Sequence, residues 1–340
     1  MAEHQFTAVG DISYRSTGVI KKKLLKTGNY KLCAGKFGQP FTIGKNQTVT
    51  AKWRRYDDFP QAIAPLSEGI TPPGRKLSST DITATLTQHG DWAQLTDVLW
   101  YTHEDSIPEV AVEKCGKQMG ETIEVLTINT LKADSNVFYA NNAGSRGALN
   151  SPPLAGDFKR IERSLSERKA EYITKMIKAS HLVSTEPVDP SYVVMAHTNL
   201  KADFENLEGW TPVKNYADPG QKLHPAEAGA IGVFRCIFTP LFTPWLAAGA
   251  NSTDYLSNGN VVTVAAASDV YPVIIVAEDS YGVVRLQGFD AVEPAVVPPK
   301  PSVGNELGQL GFVSWKTWFT SVVLNSNWLV RYEVCATALP

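Results

Sequence analysis

Residues 52–78 read KWRRYDDFPQAIAPLSEGITPPGRKLS and hold four prolines and two glycines, so no helix and no regular strand can run through them. On either side lie strand-like segments, VTAKWRRYDDF at 49–59 and DITATLTQHGDWAQLTDVLW at 81–100. In the second, Ile82, Ala84 and Leu86 alternate with Thr83, Thr85 and Thr87, the period of a half-buried strand. The pattern predicts a long two-stranded hairpin with an irregular tip. Pro60, Pro65, Pro72 and Pro73 stiffen that tip and lower the entropy cost of holding it in one shape. Strand geometry puts Trp53, Arg55 and Asp57 on one face and Arg54, Tyr56 and Asp58 on the other, so both faces carry both signs of charge. Ile63, Leu66 and Ile70 would project from the tip, which is a hazard for a chain that stays alone.

A long helix is predicted next. Ser106-Ile-Pro-Glu109 has the spacing of a capping box, with proline in the first turn, and Val112, Cys115, Met119, Ile123 and Leu126 recur at intervals of three and four up to about Ala133. Glu113, Lys117, Glu121 and Glu124 fall on the other faces, where i,i+4 pairs form. Gly116 and Gly120 are read as close packing against a sheet. A second amphipathic helix is expected over 157–177, with Asp157 as N-cap and Ile161, Leu165 and Tyr172 inward.

Downstream, SYVVMA at 191–196 reads as a strand and leads into a short helix over 198–209. Apolar runs follow at 231–238, 261–266, 271–278 and 283–287, then a linker-like VEPAVVPPKP at 292–301. The chain closes with GFVSWKTWFTSVVL, a turn at 325–327 and WLVRYEVCA, read as a final hairpin. Helices and strands mix without βαβ alternation, so the expected class is α+β.

Charge is unevenly spread. Up to Arg55 there are eleven basic and two acidic side chains, and the rest of the chain is acidic enough to bring the net charge to −2. Lys21, Lys22, Lys23 and Lys26 form the core of a basic arm that calls for a partner of opposite sign, either nucleic acid or another copy of the chain. No stretch approaches the ~20 apolar residues of a membrane helix, and the N-terminus lacks a signal-peptide core, so a cytoplasmic site of synthesis is expected. Cys33, Cys115, Cys236 and Cys335 are widely spaced and read as reduced, buried thiols.

Catalytic signatures are missing: there is no phosphate-cradling glycine loop, no GxSxG elbow and no HExxH zinc helix. The best acid–base or metal candidate is His103-Glu104-Asp105, with His89, His197 or His224 brought close by folding. As a cap-proximal linker it is read as structural, so neither catalytic residues nor metal nor cofactor is expected. Trp315, Trp318, Phe319, Trp328 and Tyr332 are read as core and interface rather than as a base-stacking platform. On these residues alone two readings stand: a self-assembling structural protein, or a soluble nucleic-acid-binding protein that uses the basic arm.

Several motifs, taken in order, carry a resemblance. GDIS (10–13), KWRRYDDFP, PLSEG (65–69), THED (102–105), ETIE (121–124), NVFYAN (136–141), ITKMIKAS (173–180), TEPVDPSY (185–192) and HTNLKADFENL (197–207) are similar to the major capsid proteins typified by coliphage N-four. That family has the Hong Kong ninety-seven capsid fold of tailed bacteriophages. The resemblance implies an N-arm at 1–40, an extended loop hairpin at 41–99, a peripheral domain with a long spine helix at 100–184 and 302–340, and an axial domain at 185–301. It implies a homo-oligomer of pentamers and hexamers, closed into an icosahedral head around double-stranded DNA held without sequence specificity. It also implies a portal, and a separate scaffolding or decoration protein where one is used. Trp53, Arg54, Arg55, Asp57, Asp58, Ile63, Leu66 and Ile70 become expected intersubunit contacts. Because GDIS begins at Gly10, no long cleaved N-terminal scaffolding segment is expected, and Lys76 is read as a free lysine rather than a cross-link donor.

Overall fold

The computed structural model describes residues 32–63, 65, 68–69, 74–103, 106–173, 190–215, 223–250, 260–263, 267–287 and 295–338. In chain order its elements are β1 (Gln39–Ile43), β2 (Thr50–Tyr56), β3 (Ser79–Thr85), β4 (Thr87–Thr96), α1 (Asp97–Thr102), α2 (Ile107–Lys132), β5 (Val137–Tyr139), α3 (Ala155–Glu167), β6 (Tyr192–Ala196), α4 (Lys201–Glu205), β7 (Trp210–Pro212), β8 (Glu227–Ile231), β9 (Phe234–Phe238), β10 (Val270–Val276), β11 (Tyr281–Leu286), β12 (Ala295–Val297), β13 (Leu310–Val323) and β14 (Leu329–Cys335).

They form three sheets. A seven-stranded mixed sheet runs β5-β14-β10-β6-β9-β8-β7. A five-stranded sheet runs β1-β11-β13-β12, with β4 also paired to β13. The third is the separate β2–β3 pair. The central strands of the large sheet, YVVMA and VYPVIIV, are buried at every position, as expected for strands covered on both faces. Their alternate residues feed two cores. Tyr192, Val194, Val273 and Ile275 pack with Phe158, Ile161 and Leu165 of α3. Val193, Met195, Ile274 and Val276 pack with Ile128 and Leu131 of α2.

The 26 residues of α2, ~39 Å long, bridge the two large sheets. Its first half meets the five-stranded sheet through Val112, Cys115 and Met119 against Leu95, Val313 and Trp315. Its second half meets the seven-stranded sheet. The apolar stripe read from the sequence is therefore divided between two partners.

Several sequence expectations need correction. The predicted strand over 81–100 is three elements: β3 stays with β2, the ladder is interrupted at Leu86, and β4 pairs instead with β13 before Thr96 caps α1. Leu86 is buried and its N–H donates to Val49 at 2.8 Å, which fixes the switch point. The closing hairpin does not form: β13 pairs with β4, β11 and β12, whereas β14 pairs with β10 and β5. The run at 231–238 is split between β8 and β9 by a turn with Gly232 at φ 55°. The linker-like segment contributes β12, and the helix expected over 198–209 is a 3-10 turn followed by α4, ending at Glu205.

Local capping also differs. Ser106 holds the N-cap position of α2 without a side-chain hydrogen bond. A Cβ on Gly120 would lie 3.0 Å from the side chain of Leu32, which is in no strand, and one on Gly116 would meet no described atom, so neither glycine packs against a sheet. For α3 the N-cap is Leu154, and Asp157 sits one turn in, accepting from the Tyr332 hydroxyl and the Asn141 N–H. The helix stops at Glu167 because Lys169 adopts φ 55°, with Lys169 N–H bonded to Ser166 O and Ala170 N–H to Leu165 O, a Schellman arrangement without glycine.

Candidate assembly interface

The β2–β3 hairpin is antiparallel and in register from Thr50 opposite Thr85 to Tyr56 opposite Ser79. Its base is docked on the chain's own body, where Ala51, Ala84 and Leu86 pack with Ile43 and Val284 and are flanked by Trp53, Trp318 and Val322. Trp53 also lies 5.1 Å, centroid to centroid, from Phe41 and rests on Gly282, where an added Cβ would come within 2.8 Å of the indole. The Trp53 ring is thus half-buried within its own chain and anchors the hairpin.

Beyond the base the hairpin is exposed. Arg54 forms a two-pronged contact with Asp81 at 2.7 and 3.0 Å, and Lys52 approaches the same carboxylate at 2.7 Å. The Arg54 hydrogen bond, then that of Lys52, holds Asp81 well below the usual carboxylate range, and Arg54 is raised in turn, mainly by Asp81. Arg54 is thus matched across the hairpin within one chain. Asp57 accepts from the Ser78 hydroxyl at 2.7 Å, and Asp58 lies 3.8 Å from Lys169 with both side chains almost fully in solvent. Arg55 is exposed opposite Thr80. Of the expected contact residues, Arg55, Asp57, Asp58 and Ile63 point to solvent, Ile63 being 83% exposed. Leu66, Ile70 and the arm lysines Lys21, Lys22, Lys23 and Lys26 lie outside the described residues.

The structure also exposes apolar side chains that the sequence reading missed. Tyr56, Phe59 and Leu77 are each more than half exposed near the tip. Their spacing carries no period, because the strand ends at Tyr56; only the register, which sets Tyr56 opposite Ser79, brings the two arms together. A second exposed apolar surface lies on the face of the five-stranded sheet away from α2. There Trp92 and Phe312 meet edge-on at 6.4 Å beside Val297, bordering a groove of about 810 Å³ whose wall includes His89, Asp91 and Lys316. Trp92 stands opposite Ser314, and Phe312 opposite Gln94 and Val297, a juxtaposition that needs three strands distant in sequence.

The enzyme-like candidates separate. His89 bonds the Thr87 hydroxyl, His197 caps the 3-10 turn by accepting from Asn199, and His224 bonds Leu32 O. His103 is the C-cap of α1, and Glu104 and Asp105 lie outside the described residues. Among the described residues no three His, Cys, Asp or Glu side chains converge as a metal site, and no helix is long and apolar enough to cross a membrane. All four cysteines are free and buried; desolvation pushes Cys335 up to about 12 and also raises the other three thiols. Trp315, Phe319 and Tyr332 are core residues, with Trp318 and Trp328 packed at core margins.

The comparisons agree with this geometry. The chain matches the phage capsid protein family over residues 79–329. No sequence among the curated proteins matches it. Its fold is similar to the capsid of Ralstonia phage GP4, with a TM-score of 0.69 at 9% identity over 99% of this chain and 100% of that one. It is also similar to the Cyanophage Pam1 capsid asymmetric unit, with a TM-score of 0.61 at 12% identity over 96% of this chain and 99% of that one. For the capsid of Cyanophage P-SCSP1u the TM-score is 0.60 at 8% identity, over 99% and 97% of the two chains. Identities this low speak to the fold, and the family match extends to what the chain is. The chain belongs to the phage capsid protein family and has the Hong Kong ninety-seven capsid fold.

Proposed function

We propose that this capsid protein assembles into pentamers and hexamers that close into the icosahedral head of a tailed phage around double-stranded DNA, with assembly in the bacterial cytoplasm. The observation that carries the reading is the hairpin: a two-stranded ribbon anchored at its base and exposing Tyr56, Phe59, Ile63 and Leu77 at its far end. A lone chain gains nothing from that apolar exposure, whereas a neighbouring copy that covers it does, and such a head-to-tail contact closes into rings. The role is structural rather than catalytic.

The proposed parts follow the sheets more closely than the linear boundaries. An N-arm at 1–40 and an extended loop within 41–99 precede a peripheral domain built on α2 with β4 and β13. The axial domain is the seven-stranded sheet, which draws β5 out of 100–184 and β14 out of 302–340 and leaves β11 and β12 of 185–301 with the peripheral sheet. Arg55, Asp57, Asp58 and Ile63, with Leu66 and Ile70, are the proposed intersubunit residues. For Lys21, Lys22, Lys23 and Lys26 the proposed partner is the acidic body of neighbouring copies, with packaged DNA as the competing partner. The two separate in DNA-free particles: changing the four lysines to glutamine lowers the disassembly midpoint if they bind subunits and leaves it unchanged if they bind DNA. A portal, and any separate scaffolding or decoration protein, complete the expected partners.

Sedimentation of the purified chain at micromolar concentration tests the assembly reading. Ring-sized or larger species without added ligand are expected. A stable monomer that enlarges only when nucleic acid is added would favour the binding-protein reading instead.

A further inference from the structure

Glu124 breaks the pattern of its own helix. It falls among the polar positions of α2, yet it is 2% exposed. Its Oε1 accepts the N–H groups of Cys33 and Ala34, both at 2.6 Å, and its Oε2 accepts that of Gly35 at 3.2 Å. Three consecutive peptide donors therefore meet the charge of one buried carboxylate, the arrangement that makes backbone an anion site.

The same turn is held from two other sides. The Tyr281 hydroxyl, at the start of β11, donates to Ala34 O. His224 Nδ1 accepts the Ala226 N–H at 3.1 Å, which leaves Nε2 as the protonated nitrogen that donates to Leu32 O at 3.0 Å. Cys33 and Ala34 are fully buried, so these backbone groups have no water to fall back on. On one side of the turn the chain carries the 31 residues with six basic and two acidic side chains. On the other it enters β1, which pairs with β11 and leads to the hairpin.

We propose that Glu124 is the latch that fixes the path of the chain at residues 33–35, between the basic N-terminal sequence and β1, and that assembly requires this fixed path rather than merely the stability the contact adds. Glu124 is a positioning residue, and the proposal rests on the capsid reading above. Because α2 bridges both large sheets, the latch ties the turn at residues 33–35 and the run into the hairpin to the helix on which both sheets pack.

The test compares Glu124→Gln, which replaces one acceptor oxygen with a donor NH2, with Ile161→Val, a core change in α3 remote from the turn. In the unassembled chain, amide exchange at residues 33–35 should accelerate about tenfold in Glu124→Gln and stay unchanged in Ile161→Val. Particle yield should fall in Glu124→Gln below that of an α3 core variant with the same loss of melting temperature. Tyr281→Phe, which removes the hydroxyl on the opposite side, should shift both readouts the same way and serves if Glu124→Gln does not fold. Unchanged exchange, or particle yield that tracks melting temperature alone in all variants, overturns the latch. A wild-type chain that forms no assemblies counts against the capsid reading, and the exchange result then still judges whether the carboxylate holds the turn.

Discussion

Trp53→Ala separates two roles open to a hairpin residue, anchoring within a chain and contact between chains. The indole is half-buried against Phe41, Gly282 and the Ile43–Leu86 cluster. A tryptophan buries up to ~200 Å², and roughly half of that at ~25 cal/mol per Å² gives about 2.5 kcal/mol of lost burial in the monomer. With an unfolding entropy of ~2.1 cal/mol/K per residue, this corresponds to a fall of about 3–4 °C in the melting temperature of the unassembled chain. Gly282→Ala should act through the same contact, because its Cβ would enter the indole's space; overpacking of this kind costs about 1–3 kcal/mol. The two changes in one chain should be less than additive, since the smaller side chain at 53 makes room for the methyl group. Calorimetry or circular dichroism under non-assembling conditions reads the effect. If Trp53→Ala left the monomer's melting temperature unchanged while abolishing particles, the anchoring argument would be wrong and Trp53 would be an intersubunit residue.

Charge reversal should sort the hairpin's ions: Arg54→Asp lowers particle yield and is rescued by adding Asp81→Arg, whereas Arg55→Glu with Asp57→Lys lowers yield without changing the monomer's melting temperature. Because Asp81 is held low by Arg54 and Lys52, its stabilising contribution is present above the ordinary carboxylate pKa and lost only as pH falls through its depressed folded value; an NMR titration should find it still ionised at pH 3.9, the ordinary midpoint of roughly that value for aspartate. All four thiols should resist a neutral-pH thiol reagent in the folded chain and react fully in denaturant, with fast native labelling contradicting their burial. Tyr332→Phe removes the hydroxyl that Asp157 accepts at 2.9 Å and should cost about 1 kcal/mol in denaturant unfolding, less than Asp157→Asn, which weakens the Arg160 and Asn141 contacts as well.

What the sequence made legible was whatever depends on local period. The α2 stripe, the inward Ile161 and Leu165, the buried SYVVMA strand and the hairpin arms all follow from spacing alone, and the family followed from motif order. Partner choice did not. The alternation at 81–96 is the same whether a strand pairs with β2 or with β13, so nothing in it marks the change at Leu86. Likewise β13 and β14 are joined by a short turn that invites a hairpin, yet each pairs in a different sheet. Capping failed where backbone conformation overrode residue type: Lys169 takes a left-handed C-cap that glycine usually fills. The burial of Trp53 and of Glu124 was hidden from the sequence for one reason. A period places a residue on a face, but only tertiary contacts decide whether the residue is covered, and here Gly282 and the turn at residues 33–35 cover them.

The central claim is that the exposed end of the β2–β3 hairpin is an assembly element. The most direct measurement is an electron cryomicroscopy reconstruction of particles formed by the purified wild-type chain, at a resolution that traces the hairpin. The account predicts that Ile63 and Phe59 lie buried against a neighbouring copy while Arg54 remains paired with Asp81 of its own chain. A shell in which the hairpin tip stays in solvent or folds back on its own body would contradict it.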